Sequence, residues 1–361
     1  MILQDRVDAL DDVAVLDTAD PAGMLRDVAG APAQLREAAF LAAEVDTSAL
    51  LEGLRPRSVV VVGMGGSAIA GDVLAAVAGT TAPVPVHVHR GYGLPGWVGA
   101  ADLVVGVSCS GGTEETLSAV EEAARRGAPL VGVAADPSPL AELVRASRGV
   151  VFPVPGGRQP RASIWALSAP LLVVGDRVGV ARVTVEDFAA AADVLDEWTD
   201  RCRPTKESFL NPAKELALGL VDRLPVLWGT SPVAGVAAYR GSGQLAENAK
   251  TSSVYGVLPE ANHNQVVAFD AGDAAERLTL VLLRDSVEHP QVTRRADVSR
   301  ELADARGIPV HELRAEGEGP LARLASLIAL VDFTSVYAAF LVGVDPTPVE
   351  PIVELKARIR E

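Results

Sequence analysis

Short apolar runs alternate with amphipathic segments along most of the chain. From Val59 to Pro155, runs rich in β-branched residues end in Gly, Ser or Asp and then lead into apolar positions at helical spacing. VVVVGMGGSAIAGDVLAAV and DLVVGVSCSGGTEETLSAVEEAARRG are two of these units. Repeated strand, turn and helix predict a parallel sheet that is covered by helices on both faces.

The same alternation returns in the second half of the chain, from LPVLWGTSPVAGVAAYRG onward. This segment resembles VVVVGMGGSAIAG but lacks its glycine-rich turn, so we predict a duplicated fold whose second copy has lost the phosphate-binding corner. A helical arm over residues 20–52 precedes the first copy, and a charged helical stretch separates the two. We predict two domains: residues 1–180, with the arm, and residues 181–361, with the linker helix.

Composition narrows the classes of partner. A formal net charge of -15 repels polyanions, so we expect no nucleic acid and no anionic membrane as partner. The two cysteines, Cys109 and Cys202, have no CxxC spacing and indicate neither a zinc site nor a disulfide framework. We find no basic leader and no apolar stretch of about 18 residues, so we expect a cytoplasmic protein without a membrane span.

The first glycine corner leaves two ligands open. Gly63, Gly65 and Ala68 satisfy GxGxxG/A, which is typical of a dinucleotide site. Such a site also calls for an acidic residue at the end of the second strand, where this chain has His89, Arg90 and Gly91. Arg90 could meet a 2′-phosphate, so the dinucleotide hypothesis is weakened but stays open.

The third unit carries a stronger signal for phosphate. Ser108, Ser110 and Thr113 surround a Gly-Gly turn between a predicted strand and a predicted helix. Hydroxyls and free N–H groups at a helix start suit a phosphate monoester, and Gly66 and Ser67 in the first corner would complete the site. The alternative is an ordinary helix cap, because Ser or Thr before Glu opens many helices.

VGMGGSAIAGD and VSCSGGTEETLSAV resemble the sugar isomerase (SIS) domain, and AENAKTSSVYGVLPEANHNQVVAF resembles the bifunctional phosphoglucose/phosphomannose isomerase family. The resemblance covers nearly the whole chain. It implies an α/β fold of two doubly wound, three-layer SIS domains and a phosphosugar substrate. It also implies interconversion of glucose 6-phosphate and/or mannose 6-phosphate with fructose 6-phosphate through a cis-enediolate, without metal or cofactor, in a homodimer with a shared active site.

The resemblance also implies roles for four side chains. Glu247 would take the proton from C2, and His263, borrowed from a neighbouring subunit, would assist ring opening. Arg161 in the Pro-Arg pair would counter the charge of the enediolate, and Lys356 would reach the site from the C-terminal segment. Arg158, in the same loop, is the alternative candidate for the role of Arg161.

The chain departs from the family pattern at several positions. Cys109 and Gly112 replace an aromatic residue and an amide in the serine-rich loop, Gln265 replaces a glutamate, and Ala68 a glycine. These departures put substrate preference and rate in doubt more than reaction class. Cys109 as a nucleophile is a weak alternative. Two other functions stay open: a non-catalytic phosphosugar sensor and a dinucleotide oxidoreductase.

Overall fold

A computed structural model describes residues 3–359, which divide into two compact units. The N-terminal unit comprises residues 30–196 and 316–325, and the C-terminal unit comprises residues 3–29, 197–315 and 326–359. The predicted first domain comprises residues 1–180. In the structure, residues 3–29 of this range belong to the C-terminal unit. The boundary at residue 181 stays a prediction.

The described chain begins with three short helices in the C-terminal unit: α1 (Leu3–Asp11), α2 (Val13–Ala19) and α3 (Met24–Ala29). The fully buried side chain of Lys214 holds α1 in place. Its Nζ donates to Asp11 Oδ1 at 3.1 Å and to the carbonyls of Pro204 and Lys206 at 2.8 Å. A buried ammonium group is tolerated only with such partners, so this contact ties α1 to the rest of the C-terminal unit.

The N-terminal unit contains a parallel sheet in the order β2-β1-β3-β4-β5. Its strands are β1 (Val59–Val62), β2 (Val86–His89), β3 (Leu103–Ser108), β4 (Leu130–Ala134) and β5 (Val150–Pro153). All four valines of β1 are buried. Helices cover both faces of such a sheet, so both faces of β1 carry apolar residues.

Helices of the N-terminal unit pack on both sides of this sheet, as predicted. They are α4 (Ala31–Glu44), α5 (Ser48–Leu51), α6 (Gly66–Ala78), α7 (Glu114–Arg125), α8 (Pro139–Ala146) and α9 (Ile164–Arg177). α7 packs beside α8. α6 packs against α9, and α4 also packs against α9. The N-terminal unit thus forms a doubly wound sheet, with α4 as an additional helix packed on α9.

The C-terminal unit repeats the strand order as β7-β6-β8-β9. Its strands are β6 (Leu224–Gly229), β7 (Val254–Val257), β8 (Leu278–Arg284) and β9 (Val310–Arg314). The remaining helices of the described chain are α10 (Val185–Cys202), α11 (Pro212–Leu220), α12 (Pro232–Asn248), α13 (Ala274–Arg277), α14 (Pro290–Asp304), α15 (Gly319–Leu341) and α16 (Glu350–Ile359). In each sheet the strand that comes first in the sequence, β1 or β6, has the next strand on one side and the remaining strands on the other side. This shared order confirms the predicted duplication.

Helix α15 corrects one expectation of the sequence analysis. It is long and apolar enough to cross a membrane by length and composition, with a mean hydropathy of 1.9 over an 18-residue window. In the structure 94% of that window is buried inside the protein. Packing in the core therefore accounts for the apolar character of this helix.

Candidate active site

The carboxyl ends of β1 and β3 form the topological switch point of the first sheet, because the chain leaves β1 toward β2 on one side and has β3 on the other. Connections that diverge in this way leave a crevice, and ligands of open α/β sheets bind there. Residues 63–67 and 108–113 directly follow these two strands. Both predicted phosphate loops therefore border the same crevice.

The first loop ends in a helix start that no side chain of the described residues caps. Gly65, at the N-cap position, has a φ of +52°, which residues with a side chain rarely adopt. The amide of Ser67 already donates to the Met64 carbonyl at 3.1 Å. The predicted contacts of this loop with phosphate therefore fall to the amide of Gly66 and the hydroxyl of Ser67.

In the second loop the hydroxyls face each other. Ser108 Oγ and Thr113 Oγ1 lie 2.8 Å apart, and Ser108 is almost fully buried. Thr113 occupies the N-cap position of α7, but its side chain accepts no hydrogen bond from the helix. Ser110 is exposed, and its hydroxyl accepts from the amide of Gly112 at 3.3 Å. The ordinary-cap alternative therefore does not explain Thr113.

Gly111 fixes this second loop against the start of α8. Its φ is +68°, and a Cβ built there would lie 2.1 Å from Ser138 Oγ. The Gly111 carbonyl accepts from the amide of Leu140 at 2.9 Å. Since Ser138 also caps α8, the helix start and the serine-rich loop form one packed corner.

A third segment, residues 156–163, lies beside both loops. The Pro160 carbonyl lies 3.9 Å from the position of a Cβ built on Gly66, and Ser163 hydrogen-bonds to the thiol of Cys109. Arg161 is only 7% exposed, whereas the side chain of Arg158 is 26% exposed and lies 3.6 Å from Glu37 Oε2. Burial restricts the side chain of Arg161 to a fixed position beside the two loops, so Arg161 is the better candidate for a fixed cation at this crevice.

Gln34 holds the Pro-Arg segment, although it is not among the predicted site residues. Its Nε2 donates to the carbonyl of Ala162 at 3.0 Å, and its Oε1 accepts from the amides of Trp165 and Ala166 at 2.9 and 3.0 Å. Gln34 thereby caps α9 and fixes the loop that precedes it. In the sequence, the feature that could have pointed to Gln34 is a single glutamine among the apolar residues on the buried face of α4.

Two alternatives from the sequence lose support from these contacts. Burial raises the pKa of the Cys109 thiol more than the hydrogen bond with Ser163 lowers it, whereas a nucleophilic cysteine needs a lowered pKa. Arg90, the cation that could meet a 2′-phosphate, forms an ion pair with Asp72 of α6. The raised pKa therefore does not favour Cys109 as a nucleophile, and the ion pair of Arg90 does not favour a dinucleotide.

Glu247 lies in the last turn of α12, in the C-terminal unit. It is half-buried, and within residues 3–359 its carboxylate has no hydrogen bond or ion pair. The buried face of the helix is fixed to α15: Arg240 and Gln244 bind Asp332, and Asn248 Nδ2 donates to Ser335 Oγ at 2.9 Å. A carboxylate without a partner on a fixed helix is suited to accept a proton.

His263 does not lie near Glu247 within one chain. The 17 residues of α12 run back from the carboxyl end of β6 over about 25 Å. His263 ends a 3₁₀ turn that follows β7, which runs parallel to β6. The two side chains therefore lie toward opposite ends of the C-terminal unit, and His263 is exposed.

Lys356 and Gln265 occupy different environments. Lys356 is exposed on α16, a helix with no buried residue among those described. Gln265, which replaces the glutamate of the family, is engaged by its amide group: its Oε1 accepts from Trp228 Nε1 at 2.6 Å and its Nε2 donates to the Tyr255 carbonyl at 3.0 Å. A glutamate could not donate the second bond, so the amide suits this position. No group of three potential metal-ligating side chains occurs in the part of the chain that the structure describes.

Comparisons with known proteins agree with this geometry. Residues 209–359 match the family model of the bacterial phospho-glucose isomerase C-terminal SIS domain, and residues 54–150 match the SIS domain. A bifunctional phosphoglucose/phosphomannose isomerase of Caldicellulosiruptor bescii is 33% identical over 94% of this chain and 99% of its own length. One from Aquifex aeolicus is 30% identical over 84% of this chain and 91% of its own length.

The chain belongs to the bifunctional phosphoglucose/phosphomannose isomerase family.

Solved structures extend the comparison to the fold. A glucose-6-phosphate isomerase like protein from Thermus thermophilus superposes with a TM-score of 0.60 at 21% identity, covering 96% of this chain and 98% of that one. The C-terminal domain of glucosamine-fructose-6-phosphate aminotransferase from Francisella tularensis superposes with a TM-score of 0.68 at 16% identity, covering 90% and 98%. At such identities these likenesses show the SIS fold alone. The isomerase family and its fold are thus established for this chain, while the roles of individual residues stay predictions.

Proposed function

We propose that the chain interconverts glucose 6-phosphate and/or mannose 6-phosphate with fructose 6-phosphate by proton transfer through a cis-enediolate. The observation that carries the proposal is the facing pair of hydroxyls, Ser108 and Thr113, beside an uncapped helix start at the first switch point. Relatives across most of the chain length are named for this activity, which supports the same reaction here.

The phosphate would be held by the Gly66 amide and by the hydroxyls of Ser67, Ser108, Ser110 and Thr113. Hydrogen bonds to an ionised acceptor are about twice as strong as neutral ones, so a few neutral donors can fix a phosphate dianion. This grip would fix the C6 end of the sugar and leave C1 and C2 to the acid and base groups.

Glu247 would remove the C2 proton and return it to C1 on the same face of the planar enediolate. His263 would exchange a proton with the ring oxygen and O1 during ring opening, since an imidazole can both accept and donate a proton. Arg161 would counter the charge that develops on the enediolate, and Lys356 would add a second cation. Glucose 6-phosphate and mannose 6-phosphate differ only at C2, so loss of that proton leads both to one intermediate.

The shared active site and the homodimer belong to this proposal. Support comes from the C-terminal unit, where Glu247 and His263 lie toward opposite ends, so the imidazole of a second chain is the simpler partner. Sedimentation should show a dimer, and co-expressed Glu247→Gln and His263→Ala chains should recover part of the activity that each variant lacks alone. A fully active monomer would contradict the shared site. The cytoplasmic location stays a prediction.

The test of the reaction is Glu247→Gln assayed with fructose 6-phosphate in deuterated water. The wild type should place deuterium at C2 of glucose or mannose 6-phosphate. In the variant kcat should fall by about 10²- to 10⁴-fold, the usual contribution of a general base, while KM changes little. Glu301→Gln, an exposed glutamate of α14, is the matched control and should keep the wild-type rate.

Full turnover in Glu247→Gln would dismiss Glu247 as the base. A wild-type protein that binds phosphosugars but forms no labelled product would instead favour the non-catalytic sensor. Reduction or oxidation of a nicotinamide cofactor with substrate would favour the oxidoreductase.

A further inference from the structure

The second sheet has a switch point of its own, between the carboxyl ends of β6 and β8. By its position it corresponds to the crevice between β1 and β3 in the first sheet. A carboxylate occupies it: the side chain of Glu288, which precedes α14, is only 5% exposed. The place that faces a ligand in the first sheet is thus filled by the chain itself in the second.

Five donors converge on the Glu288 carboxylate. Its Oε1 accepts from Thr230 Oγ1 at 2.6 Å, the Asp285 amide at 3.0 Å and Arg284 Nε at 2.9 Å; its Oε2 accepts from Arg284 Nη2 and Thr293 Oγ1, both at 2.9 Å. Thr230 Oγ1 also lies 3.1 Å from the Leu283 carbonyl. A hydroxyl has a single proton, and the shorter, charge-assisted contact with Glu288 takes it.

These donors have the composition of an oxyanion site. An arginine fork, two hydroxyls and a main-chain amide are groups that bind phosphate and sulfate as readily as carboxylate. Thr230 follows β6 and Asp285 follows β8, as the two phosphate loops of the first sheet follow β1 and β3. A simple ion pair would need only Arg284, which also contacts Asp297 at 3.0 Å and Glu312 at 3.5 Å.

We propose that the second switch point is an oxyanion receptor that the chain fills with the Glu288 carboxylate. Together with the site proposed above, this leaves one phosphate site per chain, at the first switch point. Removal of the carboxylate opens the second site to a free oxyanion such as inorganic phosphate. This inference depends on the contacts of the C-terminal unit and does not require the isomerase activity.

The experiment is titration of Glu288→Ala with inorganic phosphate, followed by calorimetry and by thermal unfolding in chloride buffer. The variant should bind one more phosphate per chain than the wild type. Its Tm should be low without phosphate and should rise with the logarithm of the phosphate concentration, as mass action requires for a ligand of the native state. Glu312→Ala is the matched control, because it removes another carboxylate near Arg284 and should add no phosphate site.

Glu288→Gln keeps the side-chain volume without the charge and should also gain no site. Glu288→Ser leaves nearly the same space as alanine and should repeat its phosphate dependence. The proposal is overturned if the alanine and serine variants fold but bind no more phosphate than the wild type. It is equally overturned if neither folds even in phosphate, because the added anion should replace the missing one. A wild type that binds no phosphate would count against the first switch point only, since the gain in Glu288→Ala is measured separately.

Discussion

The two sheets have the same strand order around their first strand, but their switch points have different contents. In the first, glycines and the hydroxyls of Ser108 and Thr113 border the crevice. In the second, Thr230 and Arg284 donate to the carboxylate of Glu288, and Ser231 caps α12 in the ordinary way by accepting from the Ala234 amide at 3.1 Å.

The difference teaches that topology supplies the crevice, while a few loop residues decide whether a ligand can enter it. Both crevices offer donors to an anion. In the second the anion is part of the chain, whereas under the proposed function the donors of the first are left to the phosphate of the substrate. Duplication of a phosphate-binding fold therefore need not duplicate the site.

The largest effect is expected from removing the facing hydroxyls of the first switch point. Hydrogen bonds to a charged group contribute about 1.5–3 kcal/mol each. At about tenfold per 1.36 kcal/mol, the double variant Ser108→Ala/Thr113→Val should lose about 10²- to 10⁴-fold in kcat/KM with fructose 6-phosphate. Steady-state kinetics measures the loss, and circular dichroism checks that the fold is retained.

Thr230→Val is the matched control at the second switch point. It should keep the wild-type kcat/KM but unfold at a lower temperature, because it removes a donor from Glu288. Equal losses of kcat/KM in both variants would contradict the division of roles between the two crevices.

The next effect concerns the corner that holds the serine-rich loop. Gly111→Ala would place a Cβ 2.1 Å from Ser138 Oγ at a φ of +68°. Overpacking of this kind costs about 1–3 kcal/mol, so urea unfolding should show a clearly lower free energy of unfolding. Gly112→Ala is the control, because its Cβ would meet nothing within 4 Å. A variant Gly111→Ala as stable as Gly112→Ala would show that this corner is not tightly packed.

The smallest effect is a pH dependence from Glu288. Burial alone would raise its pKa, but the hydrogen bonds from Arg284, Thr230 and Thr293 outweigh burial and hold the pKa below the ordinary value of 4.5. A lowered pKa in the folded state adds stability above that ordinary value, and this stability is lost as the pH falls below it. In thermal unfolding between pH 6 and pH 3, the Tm of the wild type should therefore fall more steeply with decreasing pH than the Tm of Glu288→Gln. Parallel curves for the two proteins would contradict a lowered pKa.

The sequence predicts the repeated strands and the two loops of the first switch point, because each is encoded by a local pattern. It does not reveal what fills the second switch point. Glu288 in DSVEHPQ has the pattern of an acidic residue before a helix, and donors such as Thr230 come from 58 positions away. Burial, which separates Arg161 from Arg158, is likewise a property of the folded chain.

Two further differences have the same origin in long-range packing. The link between Lys214 and Asp11 spans 203 positions, so no local pattern places residues 3–29 in the C-terminal unit. In α15, polar residues such as Asp332 and Ser335 interrupt the apolar run but are buried against α12, so a search for an unbroken run misses a helix that the average hydropathy detects.

The most direct test counts the phosphosugars that one chain binds and locates them. Fructose 6-phosphate is titrated by calorimetry into Glu247→Gln, so that turnover does not alter the ligand, and into the same variant carrying Ser108→Ala/Thr113→Val. We predict one site per chain in the first protein and none at the same concentrations in the second. Two sites per chain, or one site that survives loss of both hydroxyls, would contradict it.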